Sequence, residues 1–492
     1  MTARTPSGKS PTRRSKAFAR RLAGALGLSA LLLGGCTVGP NYQRPDAPVP
    51  AGYKESANFK TAEPGDALAK GKWWEVYGDP QLNALEEQIA VSNQTLKAAQ
   101  AQFVEARAAV RTVRAGYFPT VTGSASVSGN RLSQNRALAS VNARGNYADY
   151  QFPPIDVAWE PDVWGRVRRS VEAARAEAQA SAADLANTEL SLQAELALDY
   201  FQLRGLDSQQ QLLDSTVASY QRAFELTDSR YKGGVASAVD VAQAQTQLET
   251  TRAQAADIAV DRAAFEHAIA VFIGKPPAGF SQPATPLTLP PPAIPAGLPS
   301  LLLERRPDIA AAERRVQEAN AQIGVARAAY FPIFSFTGGG GFESSQIHNL
   351  LSGPSGFWSL AGSAAELIFD GGLRRGITEQ ARANYDKSVD TYRQTTLTAF
   401  QEVEDNLAAL RVLENEARIQ DGAVAAAQHS LDLSNSRYKG GVASYLEVTT
   451  AQSAALGDER TSVDILTRRM AASVLLIKAL GGSWSASQLP HL

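Results

Sequence analysis

Cysteine is almost missing: Cys36 stands alone in 492 residues, which excludes a disulfide framework and any cysteine-based zinc site. The four histidines, His267, His348, His429 and His491, are scattered without an HxxxH spacing, so no histidine metal centre is encoded. No GxSxG elbow occurs, and the glycine run Gly338–Gly341 is not followed by the Lys-Ser/Thr of a phosphate loop. The chain therefore offers no catalytic residue and no metal ligand set, and the expectation is that it is not an enzyme. An excess of positive charge is absent too: 48 Lys+Arg face 49 Asp+Glu, which argues against nucleic acid as a partner. Long apolar runs are lacking. The longest, Leu22–Gly35, falls short of the ~20 residues of a spanning helix, so a polytopic inner-membrane protein is excluded.

What is present begins with that run. It follows Arg13, Arg14, Lys16, Arg20 and Arg21, and together they form the basic and apolar regions of an export signal over residues 1–35. The run closes on Leu33-Gly34-Gly35-Cys36, which resembles the lipobox of bacterial lipoproteins. The expected cofactor inventory is then empty apart from a covalent N-acyl and S-diacylglycerol lipid on Cys36. Thr37, in place of an Asp, suits transfer to the outer membrane.

The body is a tandem duplication. Arg230-Tyr231-Lys232-Gly233-Gly234-Val235-Ala236-Ser237 recurs unchanged as Arg437-Tyr438-Lys439-Gly440-Gly441-Val442-Ala443-Ser444. Glu172, Arg204 and Gly274 find Glu379, Arg411 and Gly481 at the same offset, and Tyr117-Phe118-Pro119 is answered by Tyr330-Phe331-Pro332. The halves span 80–275 and 301–481. They are flanked by an N-terminal segment, 36–79, and a tail, 482–492, and joined by a proline-rich linker, 276–300, that suits a semi-rigid extended chain. Trp73-Trp74 is expected to pack the N-terminal segment onto the helices.

Each half reads helix, two strands, long helix, tight turn, helix. The first half predicts helices over 80–115, 166–232 and 237–273 and strands within 117–162, the first of them a single run Thr120–Ser128. The second half predicts helices over 307–329, 373–439 and 444–480 and strands within 330–369. Tyr117, Phe118, Tyr150, Phe152, Trp159, Trp164, Tyr330, Phe331, Phe357, Trp358 and Phe369 bracket the strands as aromatic girdles bracket a membrane barrel. A 67-residue helix is roughly 100 Å long at ~1.5 Å per residue, so a tall pillar of antiparallel coiled coil is expected. Four strands cannot close in a membrane, and three copies would supply about twelve. The expected fold is mostly α with a membrane β part: a homotrimer carrying a 12-stranded outer-membrane β-barrel on a long periplasmic α-helical barrel.

The lipobox, the two helix–strand–strand–helix halves, the Arg305-Arg306-Pro307-Asp308-Ile309 stretch and both Arg-Tyr-x-x-Gly-Val turns resemble the outer-membrane factor (TolC-like) family, in its NodT/OprM-like lipoprotein branch. The resemblance implies a channel in the cell outer membrane that serves as the exit duct of a tripartite efflux system for drugs or other toxic small molecules. Its implied partners are a periplasmic adaptor (a membrane-fusion protein), an inner-membrane transporter, usually of the RND class, and outer-membrane lipid. The alternatives are the duct of an ABC-driven secretion system and a periplasmic coiled-coil adaptor. By the resemblance the tips that meet the adaptor comprise Tyr231, Gly233, Gly234 and Val235 with Tyr438, Gly440, Gly441 and Val442. The periplasmic gate falls on Leu446, Glu447, Thr450 and Asp240. Thr450 stands where the branch carries an Asp, and Ser453 where it carries an Arg, so only the apolar ring of Leu446 carries over intact.

Overall fold

A computed structural model describes residues 37–55, 71–131, 133, 146–294 and 299–492. Cys36 and the signal segment 1–35 lie outside the described residues, as do parts of the N-terminal segment and of the linker.

The described chain is predominantly helical, because long stretches are rich in Ala, Gln, Glu and Arg and free of internal proline. Besides a single turn at Leu302–Arg305, the α-helices are α1 (Pro80–Ser92), α2 (Gln94–Arg114), α3 (Arg166–Lys232), α4 (Ala238–Phe272), α5 (Pro307–Ala328), α6 (Leu373–Lys439) and α7 (Tyr445–Ala479). The strands are β1 (Thr120–Gly123), β2 (Ser126–Arg131), β3 (Asn146–Trp159), β4 (Ile333–Ser344) and β5 (Gly356–Ala365). No helix among the described residues is long and apolar enough to cross a membrane.

The chain divides into two compact units. One holds residues up to Arg44, Ala106–Glu177 and Arg315–Ser388, and contains the sheet; the other holds Pro45–Glu105, Ala178–Arg314 and Val389–Leu492, and contains the Gly-Gly turns.

Two expectations need correction. The helix over 80–115 is two helices, because Asn93 leaves helical geometry to do two other tasks: its Oδ1 accepts from Leu96 N at 2.9 Å, and its Nδ2 donates to Phe272 O at 2.9 Å. Ser92 Oγ donates to Ile273 O at 2.6 Å alongside it, so the break satisfies carbonyls at the end of α4. The strand over 120–128 is likewise two. Pro153 and Pro154 sit inside β3, where they lack N–H donors, and the β3–β4 register shifts between Phe152 and Ile155. The partner strand breaks opposite that shift: β1 pairs with Ile155–Ala158, β2 pairs with Asn146–Gln151, and Ser124 N reaches Pro154 O at 3.1 Å between them.

In the second unit Trp73 and Trp74 are buried edge to face, and Trp73 Nε1 donates to Gln193 Oε1 at 3.1 Å. The proline-rich linker is laced to the first half by its backbone. Gln282 N donates to Glu266, Thr285 N to Asp207 at 2.8 Å, and Leu287 N to Ser208 at 2.7 Å. Arg306 is buried, bridges Asp308 and Glu402 and also donates to Ala479 O, which gives the Arg-Arg-Pro-Asp stretch a structural duty at the end of α7.

Candidate functional site: the helix tips and the sheet

Both Gly-Gly turns end their helices in the same way. Val235 N donates to Arg230 O at 2.8 Å and Gly234 N to Tyr231 O at 2.9 Å; Val442 N and Gly441 N repeat this with Arg437 O and Tyr438 O at 3.0 Å each. These are Schellman bonds, and they need a left-handed residue at the cap, which Gly234 (φ 71) and Gly441 (φ 75) supply. Nothing lies within 4 Å of where a Cβ would stand on either glycine, so both turns are open on their outer side. Gly233 and Gly440 are exposed beside them, with Val235 and Val442.

The two tips differ in their side chains. Tyr231 is 47% exposed, whereas Tyr438, expected on the docking surface, is 6% exposed and packs with Tyr445, Val448 and Ala244. Burial pushes the Tyr445 hydroxyl up to about 12. Arg230 lies 4.9 Å over the Tyr438 ring and donates to Lys439 O at 3.3 Å, so a residue of the first turn closes over the second.

The expected gate residues have partners of their own. Asp240 is the third residue of α4 and closes a capping box: its carboxylate accepts from Ser237 N at 2.9 Å while Ser237 Oγ accepts from Asp240 N at 3.1 Å. Glu447 pairs with Arg437 at 3.2 Å, and Thr450 Oγ1 donates back to Leu446 O at 2.8 Å. Leu446 is 57% exposed with no polar role, and Ser453 shares hydrogen bonds with Gln247.

The sheet carries a second pattern that only register reveals. Strand order is β1-β3-β4-β5, with β2 also on β3, all antiparallel. Following the partners across the sheet puts Val121, Val127, Tyr150, Phe152, Ile155, Val157, Trp159, Phe334, Phe336, Phe342, Trp358 and Leu360 on one face. The other face holds Thr120, Thr122, Ser126, Ser128, Asp149, Gln151, Asp156, Ser335, Thr337, Glu343, Ser359 and Ser363. Ser335 and Ser363 hydrogen-bond across it at 2.7 Å. Phe357 falls on this polar face with Ile333, and of the other expected aromatics Tyr150, Phe152, Trp159 and Trp358 join the apolar face while Tyr117, Phe118, Trp164, Tyr330, Phe331 and Phe369 lie outside the strands. The apolar face is bare within the chain: Trp358 is 79% and Leu360 80% exposed. Among the described residues no strand pairs with the outer edge of β5 or of β1.

A family model described as outer membrane efflux protein matches residues 85–275 and 298–482, one match to each repeat. The chain belongs to the outer membrane efflux protein family. It is 34% identical over 467 residues to the outer membrane protein OprJ of Pseudomonas aeruginosa, covering 94% of this chain and 96% of OprJ. It is 33% identical over 466 residues to the antibiotic efflux pump outer membrane protein ArpC of Pseudomonas putida, covering 94% and 95%. Among solved structures it is similar to the outer-membrane channel OprN, with a TM-score of 0.85 and 30% identity over 91% of this chain and 99% of that one.

This outer membrane efflux protein is thus an outer-membrane channel component of an efflux pump, and its mostly helical fold is that of the solved channels. The sequence locates both turns, Arg230 among their residues, but assigns no role to Arg230, Thr227 or Tyr445, which surround Tyr438. The octapeptide repeat carries no signal for them, since it presents the two tyrosines as equivalent. The two-faced sheet was hidden by its glycines and by the break opposite Pro153-Pro154; alternation becomes visible only when partners are known.

Proposed function

We propose that three copies of this chain form the exit duct of a tripartite efflux pump, with the β5 edge of each protomer pairing to the β1–β2 edge of the next. The observation that carries this reading is the sheet: one face predominantly apolar and largely exposed, with Arg131 and Ser344 at its far end, one face rich in hydroxyls and acids, and, among the described residues, no strand on either outer edge. In a membrane an open edge is untenable, and a closed barrel of roughly twelve strands turns the apolar face to lipid and the hydroxyl face to a wet lumen. Cys36 carries the lipid that anchors the assembly, and the helices extend into the periplasm.

The Gly-Gly turns meet a periplasmic adaptor through Tyr231, Gly233, Gly234 and Val235 on one tip and Gly440, Gly441 and Val442 on the other; Tyr438 acts from beneath as support. An RND-type transporter supplies cargo. Relatives are named for antibiotic and toluene efflux, which supports small amphiphilic or apolar toxic compounds as what passes. The resting gate is apolar and centres on Leu446, because Asp240 is engaged in its cap, Glu447 in an ion pair and Thr450 in its own helix.

Conductance of the purified protein in planar bilayers tests this. Leu446→Ser is expected to raise single-channel conductance, and Thr450→Asp to lower it in millimolar Mg²⁺ by creating a ring of carboxylates. A protein that stays monomeric in mild detergent and conducts nothing removes the duct. Strong Mg²⁺ block of the wild type, lost in Asp240→Asn or Glu447→Gln and indifferent to Leu446→Ser, moves the gate to the acids.

A further inference from the structure

The sheet is shared between the repeats. β1, β2 and β3 come from the first half and β4 and β5 from the second, so the β3–β4 pairing is the seam at which the halves join within the sheet. One end of that seam is tied by Trp164: its Nε1 donates to Pro332 O at 2.8 Å, immediately before β4, and its ring stacks on Phe331 at 4.8 Å.

The first described residues of the chain are seated on this tie. Val38 N donates to Trp164 O at 3.1 Å. Arg169, in the first turn of α3, is buried, and its guanidinium holds the segment on three acceptors: Val38 O at 3.2 Å, Gly39 O at 3.3 Å and Asn41 Oδ1 at 2.9 Å. Its remaining nitrogen is balanced by Glu172 Oε2 at 2.7 Å. From the second repeat, Asn320 Nδ2 on α5 donates to Pro40 O at 3.1 Å. Contact is close enough to demand glycine. Gly39 has φ 98, and a Cβ on it would stand 2.5 Å from Gly324 Cα, while a Cβ on Gly324 would stand 2.8 Å from the Arg169 side chain. A packing of this density, with every backbone carbonyl from Val38 to Pro40 bonded, is a built receptor for an extended segment.

The repeat supplies a control. At the 207-residue offset that relates the halves, Arg169 corresponds to Gly376, and at the 213-residue offset Asn320 and Gly324 correspond to Arg107 and Arg111. None of the three residues is repeated at the corresponding position, so the receptor does not follow from the duplication itself.

We propose that Thr37–Asn41 is a keystone strap, and that Arg169 is its positioning residue: by seating the strap across α3 and α5 it locks the β3–β4 seam and so makes the N-terminal segment a determinant of sheet closure. The strap follows Cys36 directly, so an anchored N-terminus delivers its pull to the seam. This consequence rests on the barrel and anchor reading above, whereas the lock itself lies within one chain.

Hydrogen exchange on the full-length protein in detergent tests it. Arg169→Gln is expected to speed exchange of β3 amides over 155–159 by at least about tenfold while β5 amides over 357–365 stay near the wild-type rate, because the charge-assisted bonds that seat the strap on Trp164 at the end of the seam are lost and the β4–β5 hairpin is not touched. Arg169→Lys, which retains the charge and fewer donors, is expected to fall between, Gly324→Ala to resemble Arg169→Gln, and Arg375→Gln, which removes an exposed ion pair, to change neither strand. Cys36→Ala is expected to leave the β3 rate unchanged. The proposal is overturned if β3 and β5 loosen together, if neither responds to Arg169→Gln, or if Cys36→Ala alone reproduces the loosening. A wild type that is monomeric in detergent sinks the trimeric barrel but leaves this measurement readable, since every group in it belongs to one protomer.

Discussion

The two helix tips are the same eight residues in two settings. Their backbones agree: each ends in Schellman bonds of about 2.8 to 3.0 Å with glycine at the left-handed position. Their side chains do not. Tyr231 looks outward and Tyr438 inward; Arg230 covers Tyr438, while its counterpart Arg437 pairs with Glu447; Ser237 closes a capping box, while Ser444 makes no side-chain cap. The last contrast is instructive, because Ser444-Tyr445-Leu446-Glu447 is a better capping-box sequence than Ser237-Ala238-Val239-Asp240. Glu447 is drawn to Arg437 instead. A short repeat thus dictates main-chain geometry, and the neighbours it happens to acquire dictate which side chain is buried.

That comparison can be broken most forcefully where the tips are alike. Gly234→Asp together with Gly441→Asp places charged, Cβ-bearing residues at left-handed positions that face open space, at a conformational cost of roughly 1–2 kcal/mol each. Export is expected to fail completely while the amount of protein in the outer membrane stays normal. Drug susceptibility of cells matched for that amount is the measurement, and full resistance would remove the turns from docking.

It is sharpened where the tips differ. Tyr438→Ala empties a buried site and is expected to destabilise its tip by about 3 kcal/mol, whereas Tyr231→Ala should cost less than about 0.5 kcal/mol and act on adaptor binding alone. Limited proteolysis at the two turns reads the difference, and equal sensitivity in the two variants would mean that the tips are equivalent in solution.

The smallest effect is at the caps. Ser237→Ala should cost about 1 kcal/mol at the start of α4, and Ser444→Ala almost nothing at the start of α7. Amide exchange in the two first turns decides it; a larger change at Ser444 would show that the capping-box pattern prevails over the Arg437 pair.

Much of the site was legible because it depends on local chemistry. Gly-Gly after a proline-free run stops a helix wherever it occurs, and Tyr-Phe-Pro stops one for the same kind of reason. Asn93 escaped notice because a single Asn within an Ala- and Gln-rich run is compatible with a helix until its amide finds Phe272 O. Arg169 escaped notice because its partners, Val38, Gly39 and Asn41, lie 128 to 131 positions away.

The sequence by itself determined the duplication, the positions of the long helices and the left-handed glycines, since each follows from residue type and spacing along one stretch of chain; the class of protein came from its resemblance to a known family. Only the tertiary structure decided that Thr120–Ser128 divides opposite Pro153-Pro154, that the strands sort into an apolar and a hydroxylated face, that Tyr438 is buried where Tyr231 is bare, and that the strap sits on Arg169. The physical reason is common to all four. Register, burial and the partner of a buried charge are properties of pairs of segments far apart in the chain, and neither member of a pair encodes the other.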